Sequence, residues 1–289
     1  MPELPEVEHL RRSLEPVLLG RTIVKARLHR RDIAVMPTDP QGGFSRSSGD
    51  VRPARLTRRD LLLDATIDRL ERKGKQLAIL ATDGRVVCVH LGMTGGLIHL
   101  PSASRNRTPD HIHATWWLDD GSRLLFRDPR RFGGLWIYPA RRGLDERWEI
   151  LGPDALHITT RQLSNALQSR RAPIKAALLD QRVLAGVGNI YADESLFRAR
   201  IRPGRPSHSL CASEIRRLAS AIRAILRQAI SAGGSSIRDY RDAQGRQGLQ
   251  QRRHAVYGRG GKPCALCANP LLVEVIAQRT TVSCAHCQA

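Results

Sequence analysis

No stretch of about 18 consecutive apolar residues occurs anywhere in the 289-residue chain, so no segment is built to cross a bilayer as a helix. The opening residues, MPELPEVEHLRRSLEP, carry acids where a secretory leader carries a basic stretch and then an apolar one. They argue against a signal peptide and for a cytoplasmic protein. Acidic residues are short as well: 27 against 47 basic ones, a net charge of +20. Charge on that scale describes partners rather than fold, and the natural partners are polyanions. A membrane-surface helix would need a basic face opposite a strongly apolar one, whereas these arginines are scattered along the whole chain. Nucleic acid is therefore favoured over lipid, with an Arg-rich composition lacking any specific ligand as the alternative. Lysine is scarce, five residues against 42 arginines. Two of the five, Lys73 and Lys75, lie two positions apart, and lysine, unlike arginine, can exchange its proton.

The six cysteines divide sharply. Cys88 lies in the apolar run VVCVH and reads as a buried small hydrophobe; Cys211 follows a polar loop and receives no role. Cys264, Cys267, Cys284 and Cys287 form two Cys-x-x-Cys pairs separated by 16 residues. Two such pairs supply four thiolates in a tetrahedral arrangement that suits zinc and leaves no position open for water, so one structural Zn2+ is expected. Arg279 falls between the pairs, near the tip of a hairpin.

Val7, Leu10 and Leu14 recur at helical spacing, and Gly20 is placed to end that helix. Residues 21–150 read mostly as strands: TIVKARL, QLAILAT, RVVCVHL, HATWWLDD and SRLLFRD, with Asp-Gly hairpin signals at 83–84 and 120–121. Met36–Pro53 is polar and rich in Gly and Ser, and reads as a surface insertion. From about Gly152 the pattern turns helical, in TTRQLSNALQSR, PIKAALLD, NIYADESLFRAR and ASEIRRLASAIRAILRQAIS, with Thr159 and Ser213 as N-caps. LAGVGN, residues 184–189, breaks two helices with a tight turn. That is either a DNA-binding helix pair or an ordinary helical hairpin. Ala232–Gly261 reads as a loop or linker.

Two further features carry chemistry. Pro2, once the initiator Met is removed, offers a secondary amine with a pKa of about 8, a group that forms Schiff bases with carbonyl carbons. Glu3 stands beside it as a proton donor. By spacing alone, the same two residues also read as the ordinary start of a helix. HLGMTGG (90–96), DHIH (110–113) and DPRRFGG (128–134) mix Arg, Phe and Met with glycines. Those residue types wedge into a DNA stack, although each segment alone also reads as packing or a turn.

Taken together, MPELPEVE, ERKGKQL, HLGMTGG, DPRRFGG, GVGNIYADESLF and the terminal cysteine pairs resemble the formamidopyrimidine-DNA glycosylase family in order and spacing over nearly the whole chain. The resemblance implies an α+β fold in three parts. These are an N-terminal catalytic β sandwich with an N-terminal helix (1–150), a helix–two-turn–helix DNA-binding domain with a lesion-capping loop (151–254), and a C-terminal zinc-finger β hairpin (255–289). It implies a monomer that binds damaged double-stranded DNA in a basic cleft between two lobes, at the nucleoid of a bacterial cytoplasm and away from any membrane.

The implied activity is that of a bifunctional DNA glycosylase/AP lyase of base excision repair, acting on oxidised purines (8-oxoguanine and formamidopyrimidines). Pro2 attacks C1′ and displaces the base, Glu3 assists sugar-ring opening, Lys75 assists β-elimination and Arg279 δ-elimination. Met93, Arg130 and Phe132 match residues that fill the void left by the flipped base. His111, Arg170, Lys175 and Asn189 match contacts to the DNA backbone, with Arg170 standing where many members have Lys. Leu4, the DPRRF segment and GVGN favour the purine branch over its sister, endonuclease VIII, which removes oxidised pyrimidines and typically opens MPEGPE. The capping loop should lie near Gly234–Gln251. It departs from the family pattern with Arg238 and Tyr240 in place of Lys and Phe, and with no aromatic after its second Gly, which leaves lesion preference open. The alternatives are an oxidised-pyrimidine glycosylase and a non-catalytic zinc-ribbon DNA-binding protein.

Overall fold

The computed structural model describes residues 2–37, 56–104, 108–236 and 240–289. By contact, Pro2, Glu6–Ile150 and Ser235–Gly248 form one unit, and Glu3–Pro5, Leu151–Gly234 and Leu249–Ala289 form another. Among the described residues, no helix is long and apolar enough to cross a membrane.

The first unit is layered around helix α1 (Leu4–Leu18), whose Val7, Leu10, Leu14 and Leu18 are all buried. Pro5 falls in its first turn, where a missing N–H costs little. Gly20, at φ +75°, takes the chain out of the helix. Two sheets follow. One has the order β2 (Ala34–Val35), β9 (Gly134–Tyr138), β5 (Val86–His90), β4 (Gln76–Ala81), β3 (Ile67–Lys73). The other has the order β1 (Ile23–Leu28), β7 (Ile112–Leu118), β8 (Arg123–Arg127), β6 (Gly96–Leu100). Pairing is antiparallel except between β2 and β9. Inward residues of both sheets and of α1 share one core that includes Trp116, Phe126, Leu77 and Val89, which makes the unit a β sandwich. The Asp-Gly pairs at 83–84 and 120–121 join β4 to β5 and β7 to β8, with Gly84 and Gly121 at φ +85° and +79°. Cys88 is fully buried.

Strands β2, β3, β6 and β9, and the helix α2 (Arg141–Glu149), do not stand out in the sequence. Strand β3, IDRLERK, buries only Ile67 and Leu70 fully and is too polar to read as a strand. A carboxylate cluster ties it to the first helix. Glu8 accepts hydrogen bonds from Arg11, Arg12 and Arg72, the last at 2.9 Å from β3. Burial alone would push the Glu8 carboxyl up, but these guanidinium groups overcome it and hold the pKa at about 2.

In the second unit, α3 (Thr160–Leu167), α4 (Ile174–Leu179), α5 (Asn189–Ala199) and α6 (Ala212–Ser231) enclose a core of Leu163, Tyr191, Leu196, Leu218, Ile222 and Leu226. Thr159 caps α3 reciprocally with Gln162. Ser213 is not the cap of α6. That position belongs to Cys211, whose N–H donates to the Glu214 carboxylate at 2.9 Å. The reciprocal bond starts the helix two residues earlier and leaves the Ser213 hydroxyl 3.1 Å from the Cys211 sulfur. The C-terminal hairpin pairs β10 (Leu272–Ile276) with β11 (Arg279–Ser283).

Candidate active site

Pro2 and Glu3 are both buried, Glu3 with 2% of its surface exposed. The Glu3 carboxylate accepts the Gly188 N–H at 2.6 Å and the Ile190 N–H at 2.9 Å. Those amides form the first turn of α5, where unpaired donors and the helix dipole favour an anion. One residue on, the Leu4 N–H donates to the Gly186 carbonyl at 3.1 Å. The glycines of LAGVGN follow from this contact. A Cβ on Gly188 would lie 2.6 and 2.7 Å from the Glu3 oxygens, and one on Gly186, at φ +112°, would lie 2.8 Å from Leu4 Cβ. Of the two sequence readings of this turn, neither anticipates that its glycines cradle the N-terminal residues.

Glu6, which the sequence reading passed over, organises the segment expected to cap the lesion. Its carboxylate accepts the Ser235 N–H at 2.7 Å, and its carbonyl accepts the Tyr240 hydroxyl at 2.9 Å. Ser236 Oγ donates to the Tyr240 carbonyl and accepts the Gly248 N–H. Asp242 closes the turn through the Gly245 and Arg246 amides. Tyr240 is therefore an anchor, which gives its hydroxyl a use that the expected Phe lacks. Arg238 lies outside the described residues, as do Met1 and the Met36–Pro53 insertion apart from its first two residues.

Lys73 and Lys75 separate in role. Lys73 reaches from the end of β3 to the Trp148 carbonyl. Lys75, 9% exposed, follows Gly74 (φ +57°) in the β3–β4 turn. Removal from water, then the charges of Lys75 and Arg147, push His90 down to about 4, so its imidazole is neutral at pH 7.

Met93 and Phe132 are 40% and 53% exposed, an unusual state for large apolar side chains held on tight turns. Two glycines and one carboxylate fix them. A Cβ on Gly92 (φ +60°) would lie 2.6 Å from the Phe132 carbonyl oxygen, and one on Gly133 would lie 2.5 Å from the His90 carbonyl oxygen. Fully buried Asp128 accepts the Thr94 hydroxyl at 2.6 Å and the Gly133 N–H at 2.7 Å. Thr94 in turn accepts the Arg130 N–H, and the Arg130 guanidinium stacks 4.8 Å over Phe132. His111 is exposed at φ +65°, with its carbonyl accepting the Asp128 N–H. Asp128 and Thr94 were not singled out in the sequence; the signal available was an Asp opening a Gly-ended turn.

Lys175 requires a correction. Expected at the DNA backbone, its ammonium is wholly buried, 2.6 Å from Asp193 on α5, and it donates to the Thr280 carbonyl and the Thr281 hydroxyl. A side chain sealed from water and saturated by protein acceptors cannot face a phosphate. Its work is to join α4 and α5 to the hairpin. Burial pushes Lys175 down and Asp193 up to about 6, each against the pull of the other. Asn189 reinforces the join, donating to the Thr280 carbonyl at 2.9 Å. Arg170 is 42% exposed and 3.5 Å from Asp180. Arg279 is exposed just past the hairpin turn, where Ala277 and Gln278 both have positive φ.

The sulfurs of Cys264, Cys267, Cys284 and Cys287 lie within 4.8 Å of one another, with closest pairs at 3.5 and 3.9 Å. A tetrahedron with bonds of about 2.3 Å has edges of about 3.8 Å, so the set fits zinc. The amides of Leu266 and Cys287 point at the sulfurs of Cys264 and Cys284, and such N–H groups stabilise the negative charge of metal-binding thiolates.

A β sandwich, a helical region cradling the first residues and a four-cysteine hairpin together define a zinc-finger DNA glycosylase. The chain belongs to the formamidopyrimidine-DNA glycosylase family. Models of that family match in chain order: the N-terminal domain at 1–135, the H2TH domain at 151–241, and a zinc finger found in FPG and IleRS at 261–289. The formamidopyrimidine-DNA glycosylase of Chloroflexus aurantiacus is 42% identical, covering 100% of this chain and 98% of its own. The crystal structure of the MutM (Fpg) protein from Thermus thermophilus is similar at a TM-score of 0.82 and 39% identity, covering 99% of this chain and 98% of its own. A Lactococcus lactis FPG variant in complex with Fapy-dG containing DNA is similar at 0.84 and 29%, covering 99% of each chain.

Proposed function

We propose that this chain is a bifunctional DNA glycosylase and AP lyase of base excision repair that removes oxidised purines from duplex DNA. The observation that carries the proposal is the Glu3 carboxylate, buried beside Pro2 and held by the Gly188 and Ile190 amides. With the initiator Met removed, the Pro2 nitrogen forms a bond to C1′ of the damaged nucleotide as the bond from C1′ to the base breaks, and the electron pair leaves with the base. The proton that the Pro2 nitrogen gives up on bonding to C1′ passes to the Glu3 carboxylate, which, held at fixed geometry, returns it to O4′ as the sugar C1′–O4′ bond opens to the Schiff base. Loss of a proton and the 3′ phosphate, then of a second proton and the 5′ phosphate, cuts the strand on both sides. Lys75 assists the first elimination and Arg279 the second.

Met93, Phe132 and Arg130 occupy the space of the extruded nucleotide, and the rigidity of their turns makes that insertion inexpensive. His111, Arg170 and Asn189 hold the backbone, and the Ser235–Gly248 segment closes over the base. Cys264, Cys267, Cys284 and Cys287 would hold a zinc ion that takes no part in the reaction and would fix the hairpin carrying Arg279. Residues 1–150 hold Pro2, Glu3 and Lys75, 151–254 grip DNA and lesion, and 255–289 present Arg279. Every group comes from one chain, which acts as a monomer on nucleoid DNA in the bacterial cytoplasm.

One observation favours a second substrate class. The position after Gly248, expected to be aromatic, is Leu249, half exposed, and a similar Lactococcus lactis FPG structure, at a TM-score of 0.82 and 29% identity, holds oxidised pyrimidine containing DNA. The test is borohydride trapping with N-terminally processed protein on duplexes carrying 8-oxoguanine or an oxidised pyrimidine opposite its normal partner, with the adduct mapped by mass spectrometry. A Pro2 adduct formed faster with 8-oxoguanine is expected. Faster trapping on the pyrimidine would move the chain to the second class, and no adduct with either would leave a DNA-binding protein without this chemistry.

A further inference from the structure

The second unit holds a cavity of about 350 Å3 at the C-terminal end of α5. The Glu3-binding amides are at the other end of that helix. Eight residues at about 1.5 Å each separate Asn189 from Phe197 by about 12 Å, so the cavity is distinct from the Glu3 cradle. Its floor is apolar, with Phe197 and Ile225 buried in it. One wall is Leu266, on the first Cys-x-x-Cys turn and 63% exposed.

Two polar features of the cavity have no internal use. Gln250 is 3% exposed, and its side-chain carbonyl oxygen is buried without a hydrogen-bond partner. A buried acceptor in that state calls for a donor from outside. Arg198, Arg200 and Arg253 are exposed around the cavity, and none makes an ion pair or side-chain hydrogen bond among the described residues. Arg205, in the same unit, is by contrast paired with Glu214. The acid that lines the cavity, Glu194, does not neutralise them; its oxygens accept the Ala255, Val256 and Tyr257 amides at 2.8–2.9 Å.

We propose that this cavity docks an acidic peptide segment of a partner protein, with one apolar side chain against Phe197, Ile225 and Leu266, a main-chain N–H on the Gln250 oxygen, and carboxylates on Arg198, Arg200 and Arg253. The geometry favours a peptide over duplex DNA. A duplex offers a convex row of phosphates to shallow cations, and it has nothing to place on a recessed apolar floor or to give to a buried acceptor. A peptide supplies the apolar anchor, the donor and the charge together, which is how small interfaces concentrate their affinity. The docking is independent of the glycosylase reading and would stand if that reading failed.

The test uses full-length, zinc-loaded protein and fluorescence anisotropy of the labelled heptapeptide acetyl-GEDFDEG-amide. Saturable binding is expected. It should weaken roughly tenfold or more when Arg198→Glu and Arg253→Glu are combined, weaken also in Gln250→Leu, and vanish when the peptide Phe is replaced by Gly. Zinc content and melting temperature of the variants serve as folding controls. Duplex affinity and 8-oxoguanine excision should stay within about twofold of the parent, since a rim charge tunes only its own partner. Absence of saturable peptide binding overturns the proposal, as does binding that ignores the arginine changes. Parallel loss of duplex affinity in the double variant overturns it too, by assigning these arginines to the DNA surface.

Discussion

Two pairs of glycines do opposite things with the same property. Gly186 and Gly188 let backbone close around a carboxylate and bury it, whereas Gly92 and Gly133 let two turns press together and push Met93 and Phe132 into water. In both places a missing Cβ permits an approach that no other residue allows. What differs is the group fixed by that approach. At α5 the close contact brings helix amides to an acid, so the geometry serves charge. At the paired turns it brings carbonyl to amide, with Asp128 as the buried clamp, so the geometry serves shape. A glycine-rich motif thus tells where backbones touch, and the neighbouring side chains tell what the contact is for.

The largest effect should come from closing the first of these spaces. Gly188→Ala puts a methyl group against the Glu3 carboxyl and should lower borohydride trapping by about 100-fold or more, the usual cost of about 1 Å of misplacement at a reacting centre. Duplex affinity, measured in parallel, should change little. Equal loss of both would show that the cradle serves binding rather than chemistry. Next comes metal removal: chelation should abolish strand cutting by releasing the hairpin that carries Arg279, while the melting of the β sandwich persists. Undiminished cutting with zinc shown to be absent would detach the hairpin from the reaction.

The second glycine pair predicts a smaller and different signature. Gly133→Ala should destabilise the first unit by about 1–3 kcal/mol through overpacking, and Asp128→Ala should lower excision of a paired lesion more than cutting of a preformed abasic site, because only the former needs the wedge. Equal effects on both substrates would remove Met93 and Phe132 from base extrusion. The smallest effect is electrostatic. Glu8 has a pKa near 2 in the folded protein against an ordinary 4.5. Its contribution is thus fully present above about pH 4.5 and is lost as the pH falls toward 2. In Glu8→Gln, thermal melts should show a shallower decline than the parent across that window. Identical slopes would place the acid sensitivity elsewhere.

Much of this site is legible in the sequence. The four cysteines announce a metal because thiolate spacing is local chemistry, and the order of motifs identifies the family. Three elements were not legible for physical reasons. Strand β3 holds its place through arginine–carboxylate bonds to α1, so its sequence lacks the alternation that marks a half-buried strand. Cys211 replaces Ser213 as a cap because Glu214 completes the reciprocal bond two positions before the expected cap. Lys175 looks like one more cation on a basic protein, and only burial beside Asp193 reveals it as an internal strut.

Features whose chemistry is carried within a few positions are set along the chain: the zinc ligands, the Asp-Gly turns, the helix faces, the polyanion-seeking charge and the Pro2–Glu3 pair. What each of these meets across long separations is set by the folded arrangement of the chain. It put Glu3 on amides 185 and 187 residues away, Glu6 on an amide 229 residues away, and Lys175 inside rather than outside. Hydrogen-bond partners and burial are properties of packed surfaces, and no local pattern encodes which distant backbone will supply them.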